Sequence, residues 1–367
     1  MQVPDMRMVW LRPLVGAFCF LAFISYAAVG FGDDTERVLV TGGGNGSFSN
    51  AWFDVNDGGT VSFELGAATN SISSGDILLG KSVSFINSNS GPVTIDLTDH
   101  YLNHGYTLFE TSGTLNFSSN LTFTSSGTNN IVVVDGVGGL TFGTSSADFF
   151  ATAVGTATAI ALDTDGIFSA QVLGGSISAT AASNTATGIY AGAGLTIGMM
   201  SGGISATTAG TGSAYGIDSE GASSITLLTG SISAVTTGST GTSYAFYSNG
   251  PVIIGTSTGT ISANSTLYEA YGIFSPSDIT ITGTLGGVVA TTGTDSYGVD
   301  AHNLSIGTST ANIVINVVDN AGTSGQGVGL FASHDVTIQQ LGGTISATYS
   351  PTTTFGSALY GVLVLQR

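Results

Sequence analysis

The carboxylates that could take part in acid–base chemistry or bind a metal are few and scattered. Asp163 and Asp165 form an Asp-x-Asp pair, and two alternate carboxylates can serve as general acid and base or hold Ca²⁺ weakly. The run 42–46 (Gly-Gly-Gly-Asn-Gly) resembles part of a calcium-binding nonapeptide, but it lacks the required Asp and does not recur. We therefore interpret the aspartate pair as a solvated turn and predict no catalytic residue.

The four histidines could supply metal ligands or a proton shuttle. His100 and His104 are four residues apart, as two zinc ligands on a helix would be, yet no Glu accompanies them as in His-Glu-x-x-His. His302 and His334 precede two copies of the same repeated strand, so they occupy equivalent turns. We interpret all four as loop and turn residues and predict neither a metal site nor a cofactor.

A stripe of aromatic and acidic residues has more potential for binding. Tyrosines recur before a Gly or Ala at 215, 244, 271, 297 and 360. Strand alternation predicts that these tyrosines share an inward face with Ile217 and its equivalents. The next outward position holds Tyr190, Asp218, Tyr247, Phe274, Asp300 and Phe331. Exposed rings and carboxylates suit sugars through stacking and hydroxyl hydrogen bonds, so we predict a ligand-binding stripe, with ordinary corner residues as the alternative.

Charge excludes several classes of partner. The chain has five Lys and Arg against 23 Asp and Glu, a net charge of −18, and no Lys or Arg among the 285 residues between Lys81 and Arg367. Nucleic acid needs cations at its phosphates and is excluded as a partner. An anionic membrane surface is disfavoured for the same reason. Enzymes that hold uronate sugars also need basic residues, which weakens that hypothesis.

A repeated unit must position all of these side chains. Between Gly174 and the C-terminus the chain repeats Gly-x-Ile-Ser-Ala-Thr, a polar stretch, Tyr-Gly-Ile and a short strand such as Ile-Thr-Ile. The first strand recurs, on average every 28 residues, at Ile177, Ile204, Ile232, Ile261, Val288, Ile313 and Ile345. Such a period predicts a solenoid, in which each unit buries its apolar face only against its neighbours.

Three strands in each unit predict an all-β, three-sided parallel solenoid. Its coils would stack about 4.8 Å apart, with each strand paired to its counterpart one repeat later. Ser and Thr ladders can hydrogen-bond along such a stack, whereas ladders of like charges would repel. The alternative is an antiparallel sandwich or barrel, in which Ile204 and Ile232 would lie far apart.

The chain divides into three segments. Residues 1–30 carry an apolar run after Arg7 and Arg12 and predict a cleavable signal peptide, with an uncleaved anchor as the alternative. Cys19, the one cysteine, would leave with that peptide. Residues 33–150 predict a cap and irregular coils, and residues 151–367 predict the regular repeats. The alanine-rich stretch 149–161 between them is interpreted as a joint, either a brief helix or a distorted turn.

The sequence motifs of the repeats resemble those of the passenger domains of bacterial autotransporters. The resemblance rests on Gly-Thr-Ile-Ser-Ala at 259–263, Ala-Tyr-Gly-Ile at 270–273 and Ile-Thr-Ile at 279–281. The resemblance implies a right-handed parallel β-helix, export through a signal peptide, and display on a Gram-negative cell surface. It also implies an outer-membrane translocator as a partner, in cis or in trans. Such passengers are followed by a membrane barrel, and no barrel sequence precedes Arg367.

Three functional hypotheses follow. We favour a non-catalytic surface or secreted β-helix that acts as an adhesin or stalk and binds a glycan or host matrix along the stripe. A polysaccharide-active lyase or hydrolase on the same fold is the second hypothesis. A self-assembling sheath or surface-layer protein is the third.

Overall fold

The computed structural model describes residues 35–40, 60–65, 69–71, 78–79, 82–87, 91–96, 110–111, 114–136, 138–286, 288–318, 325–350 and 358–365. These residues belong to one unit, Asp34–Arg367. The predicted signal peptide with Cys19, the glycine run 42–46, and His100 and His104 lie outside them. Every regular element of the described part is a β-strand, so it holds no helix long and apolar enough to cross a membrane.

The strands form three long parallel sheets, and we name each sheet after its repeated motif. The Ile-Ser-Ala sheet has 11 strands. They are β3 (Thr69–Ser71), β6 (Val93–Asp96), β9 (Leu121–Gly127), β12 (Asp148–Ala153), β15 (Ile177–Ala181), β18 (Gly203–Thr208), β21 (Ser231–Thr236), β24 (Ile261–Ser265), β27 (Val288–Gly293), β30 (Asn312–Val318) and β33 (Ile345–Ser350).

The Tyr-Gly-Ile sheet has nine strands and follows the Ile-Ser-Ala sheet within each coil. They are β10 (Ile131–Gly136), β13 (Ala159–Thr164), β16 (Ala186–Ala191), β19 (Ala214–Ser219), β22 (Ser243–Ser248), β25 (Ala270–Phe274), β28 (Ser296–Ala301), β31 (Gln326–Ala332) and β34 (Ala358–Val364).

The Ile-Thr-Ile sheet has 12 strands and completes each coil. They are β1 (Thr35–Val40), β2 (Thr60–Leu65), β5 (Ser82–Asn87), β8 (Thr114–Phe117), β11 (Gly139–Ser145), β14 (Ile167–Leu173), β17 (Gly194–Met200), β20 (Ser223–Leu228), β23 (Val252–Ser257), β26 (Ile279–Leu285), β29 (Leu304–Ser309) and β32 (Val336–Leu341). A separate pair joins β4 (Leu78–Leu79) to β7 (Glu110–Thr111). From β9 to β32 the strands make eight complete three-strand coils.

Strand pairing confirms the predicted parallel solenoid. Ile204 pairs with Ile232, and Ser205 and Ala206 pair with Ser233 and Ala234 in the same register. Like residues therefore meet along one axis, and the antiparallel alternative is wrong. Serines also bond along the stack as expected, since the hydroxyls of Ser178 and Ser205 lie 3.0 Å apart.

Two details of the sequence prediction are wrong. Val289, not Val288, continues the isoleucine ladder, because it pairs with Ile261 on one side and Ile313 on the other. The stretch 149–161 contains no helix, and the predicted turn is confined to the residues around Gly155, whose φ is 76°. It runs through β12 and into β13, and Phe149 pairs with Ile177. Alanines fit there because they fill inward positions, where Ala151, Ala153 and Ala161 are buried.

The interior is a continuous apolar column built from all three sheets. Ile204, Ile217 and Ile225 represent the three walls of one coil, and each is almost fully buried. Towards the N-terminus phenylalanines replace the aliphatic residues, and Phe85 and Phe117 stack with ring centroids 5.2 Å apart. Burying each such side chain is worth about 1.5–3 kcal/mol, so the stack of coils is stabilised without disulfides or ion pairs among the described residues.

The last coil leaves part of its apolar surface exposed. Val336, Ile338, Ile345 and Ala347 are only partly buried against the core. Further along, Leu359, Tyr360, Val362 and Val364 of β34 are exposed. Their counterparts one coil earlier, Val328 and Leu330 among them, are buried.

Candidate functional site

The tyrosines of the repeated motif lie on the outer face of the Tyr-Gly-Ile sheet. In β19 Tyr215 is half-buried while Gly216 and Ile217 are both buried. The same pattern recurs in β22 and β28. The prediction that these tyrosines share the inward face with Ile217 is therefore wrong, because strict alternation breaks between the glycine and the residue after it.

The glycine explains this break. A Cβ placed on Gly216 would lie 2.7 Å from Cγ2 of Ile232 and 2.5 Å from the carbonyl oxygen of Ala245. Gly188 and Gly298 press in the same way against Ile204 and Ile313. A residue without a side chain thus lets the backbone lie against the Ile-Ser-Ala wall, and the tyrosine before it turns outward. Ala245 shows that one methyl group is accommodated at this level.

The tyrosine column consists of Tyr215, Tyr244, Tyr271 and Tyr297. Each pairs directly with the next along the sheet. Successive ring centroids lie 5.1, 4.9 and 5.0 Å apart with interplanar angles of 5–8°. Both faces of Tyr244 and Tyr271 are therefore covered by neighbouring rings. Tyr360 stands apart from this column, since Val328 separates it from Tyr297.

The mixed column consists of the six predicted site residues, Tyr190, Asp218, Tyr247, Phe274, Asp300 and Phe331. The structure brings all of them into one line: each pairs with the next, one coil at a time. All six lie on the outer face, as predicted, but they are half-buried and not exposed. This column runs beside the tyrosine column along the solenoid axis.

Two further aspartates extend the mixed column towards the N-terminus. Asp135 pairs with Asp163. Asp163 follows Leu162, whose partner is Ile189, the residue before Tyr190. Asp135 was not predicted from the sequence, and Asp163 was interpreted as part of a solvated Asp-x-Asp turn. An alignment of β10 and β13 with the later Tyr-Gly-Ile strands would have found both aspartates, but neither strand contains the Tyr-Gly motif.

Rings of the two columns pack on one another. Tyr247 and Phe274 stack at 5.4 Å and 13°, and Tyr247 meets Tyr244 edge-on at 5.2 Å. The Tyr247 hydroxyl donates to Oδ1 of Asn249 at 2.6 Å, and the Asn249 amide donates to Glu220. These contacts hold the rings against one another, so the two columns form one continuous surface.

The carboxylates of the mixed column are electrostatically unfavourable where they lie. Burial, with a smaller contribution from Glu220, raises the pKa of Asp218 to about 7. Burial and Glu269 raise the pKa of Asp300 to about 7. One carboxylate oxygen of Asp218, Oδ1, is buried without a hydrogen-bond partner. The sequence supplies no Lys or Arg between 81 and 367 to neutralise them.

The aspartates at the N-terminal end behave similarly. Burial first, then Asp135 and Asp165, raise the pKa of Asp163 to about 7, although a hydrogen bond from the Thr164 backbone opposes the shift. Burial and Asp165 raise the pKa of Asp135 to about 6. All four carboxylates on this face therefore have a pKa closer to neutral pH than an ordinary aspartate, because desolvation penalises the charged form.

The two described histidines occupy equivalent turns, as predicted. His334 donates its backbone N–H to the carbonyl of His302, and their rings lie 4.8 Å apart. The His302 ring also bonds to the hydroxyl of Ser333 at 3.0 Å. Among the described residues no group of three or more His, Cys, Asp or Glu side chains could hold a metal ion.

No family model, no curated protein and no solved structure matches the chain. The class that the coordinates define is a three-sided parallel β-solenoid with an aromatic and acidic outer face.

Proposed function

We propose that the chain is a non-catalytic β-solenoid that acts as an adhesin or stalk at the cell surface or outside the cell, and binds a glycan or matrix component on the Tyr-Gly-Ile sheet. The observation that carries the proposal is the register of the mixed column. Six residues from six different coils lie in one line on the outer face. A rigid row of rings and carboxylates has the composition of a binding surface.

The solenoid itself suits a stalk. Its length grows by one coil at about 4.8 Å per repeat, and its stability comes from contacts between neighbours. Exposure outside the cell also agrees with the signal-like residues 1–30, and display resembles that of autotransporter passengers. Because the ring faces inside the tyrosine column are covered, a sugar would contact ring edges, hydroxyl groups and the ends of the stacks.

The experiment compares Tyr247→Ala and Phe274→Ala with the unchanged protein on panels of glycans and matrix proteins. We expect both variants to lose binding, since each opens the stacked pair. Ile253→Ala is the matched control, because Ile253 is exposed on the Ile-Thr-Ile sheet. Binding that survives both ring substitutions, with the fold intact by circular dichroism, would dismiss the stripe as the binding surface.

A second candidate function is self-assembly into a sheath or surface layer, and the exposed last coil favours it. Apolar residues of β34 (Leu359, Val362 and Val364) are exposed, and an open strand edge can pair with another chain. A second copy stacked there would cover them.

Light scattering over a range of protein concentrations tests this candidate. We expect concentration-dependent oligomers that Val362→Lys abolishes, because a charge on the stacking surface would have to be desolvated. Ile253→Lys adds the same charge on a side wall and should leave association unchanged. A monomer at all concentrations would refute self-assembly through this coil.

A further inference from the structure

We propose that the mixed column binds the ammonium and guanidinium groups of a basic, extended segment of a partner protein; this inference rests on the binding role proposed above and specifies its ligand. Three features of the column carry it: carboxylates that have no Lys or Arg beside them among the described residues, aromatic residues next to those carboxylates in the ladder, and a spacing that separates the carboxylates along the axis.

In the part of the chain that the structure describes, these carboxylates have no Lys or Arg to pair with. Asp218 is half-buried between coils that carry Tyr190 and Tyr247, and its Oδ1 has no hydrogen-bond partner. The charged group that acts on the pKa of Asp218 is another acid, Glu220. Asp300 has the equivalent position between Phe274 and Phe331, with Glu269 as its acidic neighbour. A partly desolvated negative charge of this kind is stabilised most by a hydrogen-bonding cation.

The rings next to these carboxylates favour the same ligand. Tyr247 and Phe274 cover one face of each other. Tyr247 is the ladder neighbour of Asp218, and Phe274 is the ladder neighbour of Asp300. A cation bound at either aspartate would therefore lie beside an aromatic ring, whose negative face attracts cations. A neutral sugar would gain nothing from the charge.

Spacing argues for several separate organic cations on one chain and against a shared metal ion. Asp163 and Asp218 are two coils apart and Asp218 and Asp300 three, which is about 10 and 14 Å at 4.8 Å per coil. Ca²⁺ needs six to eight oxygen ligands within about 2.6 Å, so these aspartates cannot share one ion. The full span of about 24 Å corresponds to roughly seven residues of extended peptide.

Linking several weak sites on one segment increases the overall affinity, since every contact after the first is intramolecular. The charge of the whole chain, −18, would also speed the encounter with a basic partner. Both effects select a protein segment with several Lys or Arg residues over a single small amine.

The test measures binding of a nine-residue peptide of alternating Lys and Ser, with blocked ends, by calorimetry at 0.15 M salt. The neutral probes are the same peptide with Gln in place of Lys and a glucose hexasaccharide; spermine is the small-amine probe. The variant is Asp218→Asn with Asp300→Asn, which keeps side-chain shape. The matched control is Asp278→Asn with Asp335→Asn, which removes two charges from exposed corners.

We expect the Lys peptide alone to bind tightly, with at least a roughly tenfold loss in the column variant and less than about twofold in the corner control. Equal losses in both double variants would overturn the inference, because binding would then reflect net charge alone. Spermine binding as tightly as the peptide, with the same loss in the column variant, would overturn the protein-segment occupant.

The outcomes also separate this inference from the proposed function. One outcome would refute the cationic ligand and leave the binding role standing. In that outcome the hexasaccharide or a matrix glycan binds, Phe274→Ala abolishes this binding, and Asp218→Asn with Asp300→Asn does not. If the unchanged protein binds neither the Lys peptide nor any glycan or matrix protein, both proposals fail. Thermal unfolding of every variant shows that the fold is retained.

Discussion

At the scale of single residues, the aspartates of the mixed column oppose the stability of the fold to which they belong. Asp218 and Asp300 have their pKa raised to about 7. The folded state therefore binds more protons than the unfolded state between the ordinary aspartate pKa of about 4 and pH 7. Side chains that cost stability without taking part in packing are often retained for function.

Asp218→Asn should make the protein more stable at pH 8 by on the order of 1–3 kcal/mol and leave it nearly unchanged at pH 4. The sign follows from the raised pKa, since the penalty is absent while the carboxyl is protonated and complete once pH exceeds about 7. The groups that face this carboxyl are Glu220, Tyr190, Tyr215 and Tyr247.

Urea unfolding at pH 4, 6 and 8 measures this difference. Asp335→Asn removes one charge at an exposed corner and should change stability little at any of these pH values. A column variant that is no more stable than the unchanged protein at pH 8 would contradict the desolvation argument.

At the scale of the strand, the glycine of the Tyr-Gly-Ile motif decides which way the tyrosine points. Gly216→Val should destabilise the protein by roughly 2–4 kcal/mol, because the added atoms meet Cγ2 of Ile232 and the Ala245 carbonyl within 3 Å. Gly216→Ala adds the same Cβ and should also lower stability, but by less than valine, because it lacks the two methyl groups and Ala245 occupies the equivalent place one coil later.

Chemical denaturation of the two variants checks the difference. Fluorescence of the tyrosine column should also change in the valine variant, because a displaced strand would disturb the contact of Tyr215 with Tyr244. Equal stability of the alanine and valine variants would show that the backbone moves away freely.

Much of the strand structure could be predicted from the sequence, because each interior position recurs in several repeats. The isoleucine ladder and the outward position of Asp218 and its equivalents followed from period and alternation. The tyrosine orientation did not, because alternation assumes a side chain at every position and Gly216 has none. Asp135 was missed because its coil lacks the Tyr-Gly motif, although it occupies the same ladder position as Asp163.

At the scale of the molecule, each coil is an interchangeable unit. Deleting residues 203–230 removes one coil and joins Gly202 to Ser231, the ladder partner of Gly203. We expect a folded, shorter solenoid with lower stability, because stability in such arrays adds up from neighbouring contacts. Deleting only 203–216 should prevent folding of the regular part, since it removes one wall and half of the next.

Circular dichroism and small-angle X-ray scattering distinguish the two deletions. The full-coil deletion should keep the β spectrum and shorten the long axis by about 5 Å. It also removes Asp218 and brings Tyr190 next to Tyr247 in the column. A full-coil deletion that unfolds as completely as the half-coil deletion would show that the coils are not equivalent.

The hydrogen bonds that join one coil to the next run along the axis, as with Ile204 and Ile232. A solenoid pulled by its C-terminal end should therefore unfold one coil at a time and not as a single unit. Each released turn of 28 residues would add roughly 90 Å of slack at 3.3–3.6 Å per residue. Extension traces from an optical trap should therefore rise in equal steps, and each step would dissipate part of an applied load.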